Sequence, residues 1–178
     1  MCAEEPMPAF NSTLVTWNTL SAQAAADAIL PCNGSRTWAE GMTALRPFDT
    51  AFDLTCTADR IWQSLSPADW QQSFDSHPRI GEQHAKLATA ASLAFSATEQ
   101  SAANPDDAIK AELAAANREY DAKFGRIFIV CATGKSAAEM LAILRQRLHN
   151  DPATELREAA EQQRQITQIR LRKWLGGA

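Results

Sequence analysis

The stretch that decides the fold runs from Asp151 to Trp174, DPATELREAAEQQRQITQIRLRKW. Asp151-Pro152 marks a helix start: an aspartate caps the first orphan N–H groups, and a proline at the first helical position has no N–H to leave unsatisfied. At about 100° per residue, Leu156, Ala159, Ala160, Gln163, Ile166 and Trp174 fall on one stripe. No glycine or further proline interrupts the pattern, so a single long helix is expected to about Leu175. Arg157, Arg164 and Arg172 lie well away from the stripe, as solvated arginines should. Arg170 lies inside it, one turn beyond Ile166. A guanidinium on the core-facing side needs a partner, because burying an unpaired charge is costly. Three readings stay open for it: a buried ion pair, a snorkelling side chain, or a fork on a pocket wall that grips a carboxylate.

The helical period recurs towards the amino terminus. Ser136-Ala137-Ala138-Glu139 forms a capping box for a helix ending near Leu148. A long helix is expected from Asp106 to Lys123, ended by Phe124-Gly125. Ser66-Pro67 opens a short helix that stops at Ser76, Asp49 opens one to about Leu65, and Ser35 opens one that ends before Pro47. Ser21 caps a first helix through Leu30, stopped by Pro31 and the Asn33-Gly34 turn. Two further helices are expected over about 83–93 and from Ser96. Residues 1–12 read as a flexible tail, leaving 13–178 as one domain. Only residues 127–131 are β-like, and with no partner strand they are expected to form a buried extended segment. The fold class is therefore all-α, a single-domain bundle of about eight to nine helices with that one short extended piece.

The 178 residues suit one domain, which at this length buries roughly 70% of its unfolded surface. A net charge of −4 argues against nucleic acid or an anionic membrane as the main partner. The four cysteines, Cys2, Cys32, Cys56 and Cys131, make no CxxC pair and read as reduced thiols, mostly core filler in a cytoplasmic setting. Met1-Cys2-Ala3-Glu4-Glu5 lacks the basic and apolar regions of a signal peptide, and no run approaches the ~20 apolar residues of a membrane span. Trp17, Trp38, Trp62, Trp70 and Trp174 are expected in the core, and the Lys and Arg residues of the last two helices on the surface.

Chemistry concentrates in His77-Pro78-Arg79-Ile80-Gly81 and Ser96-Ala97-Thr98-Glu99-Gln100. A residue before proline avoids the α region, so His77 is presented from a rigid extended turn. Imidazole exchanges protons near neutral pH, and a carboxylate brought against it sets its tautomer and raises its pKa. A loop histidine with no role is the alternative. Ser96 and Glu99 can be explained by a helix cap, or by a helix start aimed at an anionic ligand. Glu82 and His84 lie near His77 but match no HExxH pattern and lack a third ligand, so no metal is expected. Phosphate-cradling glycine loops, nucleophile elbows and dinucleotide fingerprints are absent from the sequence.

These motifs join others in a fixed order: Ser35-Arg36-Thr37-Trp38, Arg46-Pro47-Phe48, Asn117 with Tyr120, Phe124-Gly125 with Phe128, Arg147-Leu148-His149-Asn150 and Ile169-Arg170-Leu171. In that order and spacing, over nearly the whole chain, the sequence resembles the 2-oxo-4-hydroxy-4-carboxy-5-ureidoimidazoline (OHCU) decarboxylases of urate degradation. The resemblance implies an all-α, cofactor-independent enzyme, a homodimer in the cytoplasm, that converts OHCU stereospecifically to (S)-allantoin. It implies that His77 and Glu99 are the catalytic pair and that Arg170 lines the site. Pro78, Ser96, Glu99, Gln100 and the backbone of Ile127, Phe128, Ile129 and Val130 would contact the substrate. Arg126-Ile127 departs from the family pattern, in which an aromatic residue and a proline often follow the glycine. A non-catalytic module that binds a ureide or purine, and a hydrolase of a related imidazoline, are the competing classes; release of CO2 separates them from a decarboxylase.

Overall fold

The computed structural model describes residues 11–78 and 107–176. Among them are eight α-helices and no strand: α1 (Ser12–Thr19), α2 (Ala22–Ile29), α3 (Arg36–Ala44), α4 (Ala51–Ser64), α5 (Pro67–Phe74), α6 (Asp107–Phe124), α7 (Ala137–Arg147) and α8 (Pro152–Trp174). The all-α architecture follows the sequence reading. The helices expected over 83–93 and from Ser96, and the cap expected at Asp106, lie outside the described residues.

Most helix starts are local capping events. Ser21, Ser35, Ser66, Ser136 and Asp151 each accept a hydrogen bond from a backbone N–H of the first turn. Ser66 with Asp69 and Ser136 with Glu139 close full capping boxes. Two starts differ from expectation. Helix α4 is capped by Thr50 rather than Asp49: the Thr50 side chain accepts from Asp53 N–H and donates to the Asp53 carboxylate at 2.7 Å. The first helix begins at Ser12, ahead of Ser21, and Asn11, expected as part of the tail, is its cap. Its sequence carries little amphipathic signal; Leu14 and Trp17, three residues apart, are its buried contacts. Tertiary bonds hold this helix. Asn11 Nδ2 donates to Leu175 O at 2.8 Å, and Arg46 Nη1 donates to Trp17 O at 2.6 Å and Leu20 O at 3.0 Å.

The helices enclose two cores. Helices α1 to α5 pack against α8 around Trp17, Trp38, Trp62 and Phe74. Helices α6 and α7 pack on each other around Tyr120, Phe124, Met140 and Leu144. The expected extended segment divides the two. Ile127, Ile129 and Cys131 enter the first core; Phe128, Val130 and Ala132 enter the second. Such alternation is the period of an extended chain, so the segment behaves as a single strand sandwiched between helices. Cys32 and Cys131 are buried, whereas Cys56 is exposed. No helix among the described residues is long and apolar enough to cross a membrane.

Candidate functional site

His77 lies just past the carboxyl end of α5, where its N–H donates to Phe74 O at 3.0 Å. It is 8% exposed. The turn that holds it is closed by the segment before α3. Gly34 has φ +98°, and a Cβ there would sit 2.2 Å from Ser76 Oγ, so only glycine lets the 33–35 backbone approach the residue preceding His77. Asn33 O accepts from Ser73 Oγ of α5 and from Gln163 Nε2 of α8, the latter at 3.1 Å. Asn33 Nδ2 donates to Thr167 Oγ1 at 3.0 Å. One buried asparagine thus ties three elements together beneath the imidazole.

The long helix delivers Arg170 to the same place. Its side chain is fully buried, and Nη1 donates to Pro31 O at 3.3 Å. Arg170 Nη2 lies 3.4 Å from His77 Nδ1. A guanidinium has no acceptor atom. The pair is therefore complementary only when Nδ1 offers a lone pair, which assigns the ring as neutral with its proton on Nε2. The electrostatics agree: burial first, and the Arg170 charge second, push the His77 pKa well below its ordinary value, while the Gln163 amide opposes them. His77 Nε2 and Gln163 Oε1 make no hydrogen bond among the described residues. The Gln163 amide is thus near enough to act on the imidazole without closing a hydrogen bond to it, and a buried donor and a buried acceptor stay unsatisfied among the described residues. Cys32, also near Arg170, is no nucleophile, since burial raises its thiol to about 12.

The structure therefore joins two of the expected site residues, His77 and Arg170, across 93 positions of sequence. Ser96, Glu99 and Gln100 lie outside the described residues, as do Glu82 and His84. Ile127, Phe128, Ile129 and Val130 are all buried, beside α8, where Cys131 N–H donates to Gln162 Oε1 at 2.9 Å. Of the three readings of Arg170, snorkelling is excluded by its complete burial. No group of His, Cys, Asp or Glu suited to a metal ion occurs among the described residues.

One expectation fails. Arg147, placed on the surface with the other cations of the last two helices, is 4% exposed. Its Nε donates to Glu155 Oε1 at 2.9 Å and its Nη1 to Ile129 O at 2.7 Å, and the guanidinium stacks over the Phe128 ring, 4.8 Å from its centroid. Glu155, itself fully buried, also accepts from Tyr120 OH and, at 2.8 Å, from Asn150 Nδ2. This carboxylate and the Arg170 partner set both come from residues that are polar in sequence and give no periodic cue. The detectable signal was Glu155 itself, one position from the Leu156 stripe of α8.

Fold and site together define an all-helical domain built around a buried imidazole–guanidinium pair. The family model described as OHCU decarboxylase matches residues 18–172. The chain belongs to the OHCU decarboxylase family. It is 38% identical over 145 residues to the "Uric acid degradation bifunctional protein TTL" of Arabidopsis thaliana, covering 80% of this chain and 44% of that protein. It is 32% identical over 129 residues to the 2-oxo-4-hydroxy-4-carboxy-5-ureidoimidazoline decarboxylase of Amia calva, covering 71% of this chain and 73% of that one. A crystal structure of OHCU decarboxylase in the presence of (S)-allantoin superposes with a TM-score of 0.73 at 34% identity, covering 84% of this chain and 98% of that one. A structure of (S)-allantoin synthase shares the fold, with a TM-score of 0.68 at 17% identity, covering 90% of this chain and 53% of that one.

Proposed function

We propose that this protein decarboxylates OHCU to (S)-allantoin, and that it does so without a cofactor, as a homodimer in the cytoplasm. The observation that carries the reading is the buried His77–Arg170 contact in a chain whose family match extends over residues 18–172.

The substrate supplies its own electron sink. Its reacting carbon bears a hydroxyl and a carboxylate and adjoins a ring C=N. As CO2 leaves, the electron pair flows into that C=N, the hydroxyl-bearing carbon moves towards a carbonyl, and a proton is delivered to one face of the ureido-bearing carbon. Pyridoxal or thiamine chemistry is not needed for such a step.

His77 donates a hydrogen bond from Nε2–H, the ring atom that the described residues leave without a partner, to the substrate hydroxyl oxygen and steadies the charge there. The hydroxyl proton passes to the Glu99 carboxylate as the carbon becomes a carbonyl. Its surroundings hold it neutral. An anion brought against it, the Glu99 carboxylate or the substrate's own, moves its pKa back towards the working range. Arg170 orients an oxygen of the substrate. A firm grip on the departing carboxylate would stabilise the ground state and oppose loss of CO2, so orientation is the role assigned. Pro78, Ser96, Gln100 and the backbone of Ile127, Phe128, Ile129 and Val130 frame the planar ureide and ring edges.

The decisive assay is chiral, because the substrate also decays slowly to racemic product. Circular dichroism should report one enantiomer of allantoin with enzyme and none without it. General acid–base catalysis contributes typically 10²–10⁴-fold, so His77→Ala and Glu99→Ala should each cut turnover by at least about 10²-fold with the fold retained. Near-normal turnover in both variants would remove the assignment. Ligand-induced stabilisation without CO2 release would replace the enzyme by a binding module.

A further inference from the structure

We propose that Arg147, held by Glu155, is a positioning residue: it pins one edge of the 127–131 segment so that the opposite edge, carrying the N–H and C=O groups of Phe128 and Val130, is the one that reads the ligand. The inference rests on the decarboxylase reading for the ligand, and on geometry for the pin.

In an extended chain the N–H and C=O of one residue share an edge, and successive residues alternate edges. The alternation of side chains between the two cores shows that residues 127–132 follow this geometry. Every hydrogen bond that reaches residues 127–131 among the described residues falls on the odd-numbered edge; Ala132 O, where the chain leaves into the next turn, accepts from Lys135 N–H at 3.0 Å. Arg147 Nη1 donates to Ile129 O at 2.7 Å, Gln162 Oε1 accepts from Cys131 N–H at 2.9 Å, and Lys135 Nζ donates to Cys131 O at 2.7 Å. Within 127–131 the even-numbered edge has no partner among the described residues: no hydrogen bond uses the N–H or C=O of Phe128 or of Val130. Both residues are buried, and buried backbone groups are almost always paired. No strand lies beside it among the described residues, and a planar molecule with amide edges is the complementary occupant we infer.

Arg147 is built for the pinning task. Its guanidinium is planar and can serve a carboxylate and a carbonyl together, which a lysine ammonium on a flexible stem does poorly. The Glu155 carboxylate takes the Nε side of the fork and is fixed in turn by Tyr120 and Asn150. The Phe128 ring lies under the guanidinium, so the same cation sets both the Ile129 carbonyl and the neighbouring side chain. Helices α6, α7 and α8 thereby fix one backbone edge from one carboxylate.

Arg147→Lys tests this in the full chain. It keeps a cation beside Glu155 and gives up the simultaneous bond to Ile129 O. Two readouts are needed. Amide hydrogen exchange by NMR should show Cys131 exchanging at least ~10-fold faster than in the wild type, the scale of one lost backbone anchor. Steady-state kinetics with OHCU should show KM raised by ~10-fold with kcat changed far less, the pattern of lost uniform binding. A purely structural role predicts the reverse, a lower apparent kcat from a smaller folded fraction with KM unchanged. If Arg147→Lys does not fold, the triple variant Tyr120→Phe/Arg147→Met/Glu155→Leu replaces the buried polar cluster with apolar groups of similar shape, and the same two readouts apply. Unchanged Cys131 exchange, or an unchanged KM in a folded variant, overturns the proposal. Wild-type protein that releases no CO2 from OHCU overturns the decarboxylase reading instead, and the exchange measurement still decides whether Arg147 pins the segment.

Discussion

Acidification should unfold this protein partly through one imidazole. His77 has its pKa pushed well below the ordinary 6.5 by burial and by the Arg170 charge. The unfolded chain therefore binds a proton below pH 6.5 that the folded chain refuses. Stability must fall as pH drops through 6.5, and it continues to fall until the folded-state pKa is reached. For one such group the unfolded state gains close to a full proton between pH 7.5 and 5.5, which removes up to about 1 kcal/mol of stability. Urea unfolding of wild type and His77→Gln at pH 7.5, 6.5 and 5.5 isolates the effect, because every other titratable group is common to both and cancels in the difference. The gap between the two proteins should shift against the wild type over that range, by up to about 1 kcal/mol. A gap that stays flat, or a wild type that gains on His77→Gln as pH falls, would refute the neutral, Arg170-facing imidazole.

Three further outcomes follow from the same geometry. Arg170→Met removes a positive charge from beside the ring, so the His77 titration midpoint followed by NMR should rise; an unchanged midpoint would contradict the 3.4 Å contact. Gly34→Ala places a Cβ 2.2 Å from Ser76 Oγ at a φ of +98°, and should cost about 1–3 kcal/mol, read as a Tm lower by roughly 2–10 °C in calorimetry, with turnover falling as His77 shifts. Glu112→Gln breaks the ion pair with Arg145, whose side chains are both half exposed or more; urea unfolding should change by less than about 1 kcal/mol, and a larger loss would mean the pair is not solvent-screened.

The legible part of the fold was the part encoded in neighbours. The Ser136–Glu139 capping box, the Ser66-Pro67 start and the Asp151-Pro152 start are chemistry within one turn, and each stands where the sequence places it. Helix α1 was missed because its eight residues hold no strong periodicity and depend on bonds from Arg46 and to Leu175. Arg147 was misplaced for a related reason. An arginine in the last turn of a helix reads as a solvated cation that favours the helix dipole, and nothing local says that a glutamate eight positions later turns inward to meet it.

By itself the sequence determined where α2, α3, α5, α7 and α8 begin, that residues 127–131 stand apart from the helices, and that Arg170 faces inward, since capping and the 3.6-residue period are local properties that need no knowledge of packing. Only the tertiary structure decided that Arg170 meets His77 Nδ1, that Asn33 braces the turn below, and that Glu155 turns Arg147 into the core. Those contacts join side chains whose burial is tolerable only once all the partners are assembled, because a polar group taken out of water without its mate costs more than any single helix turn contributes.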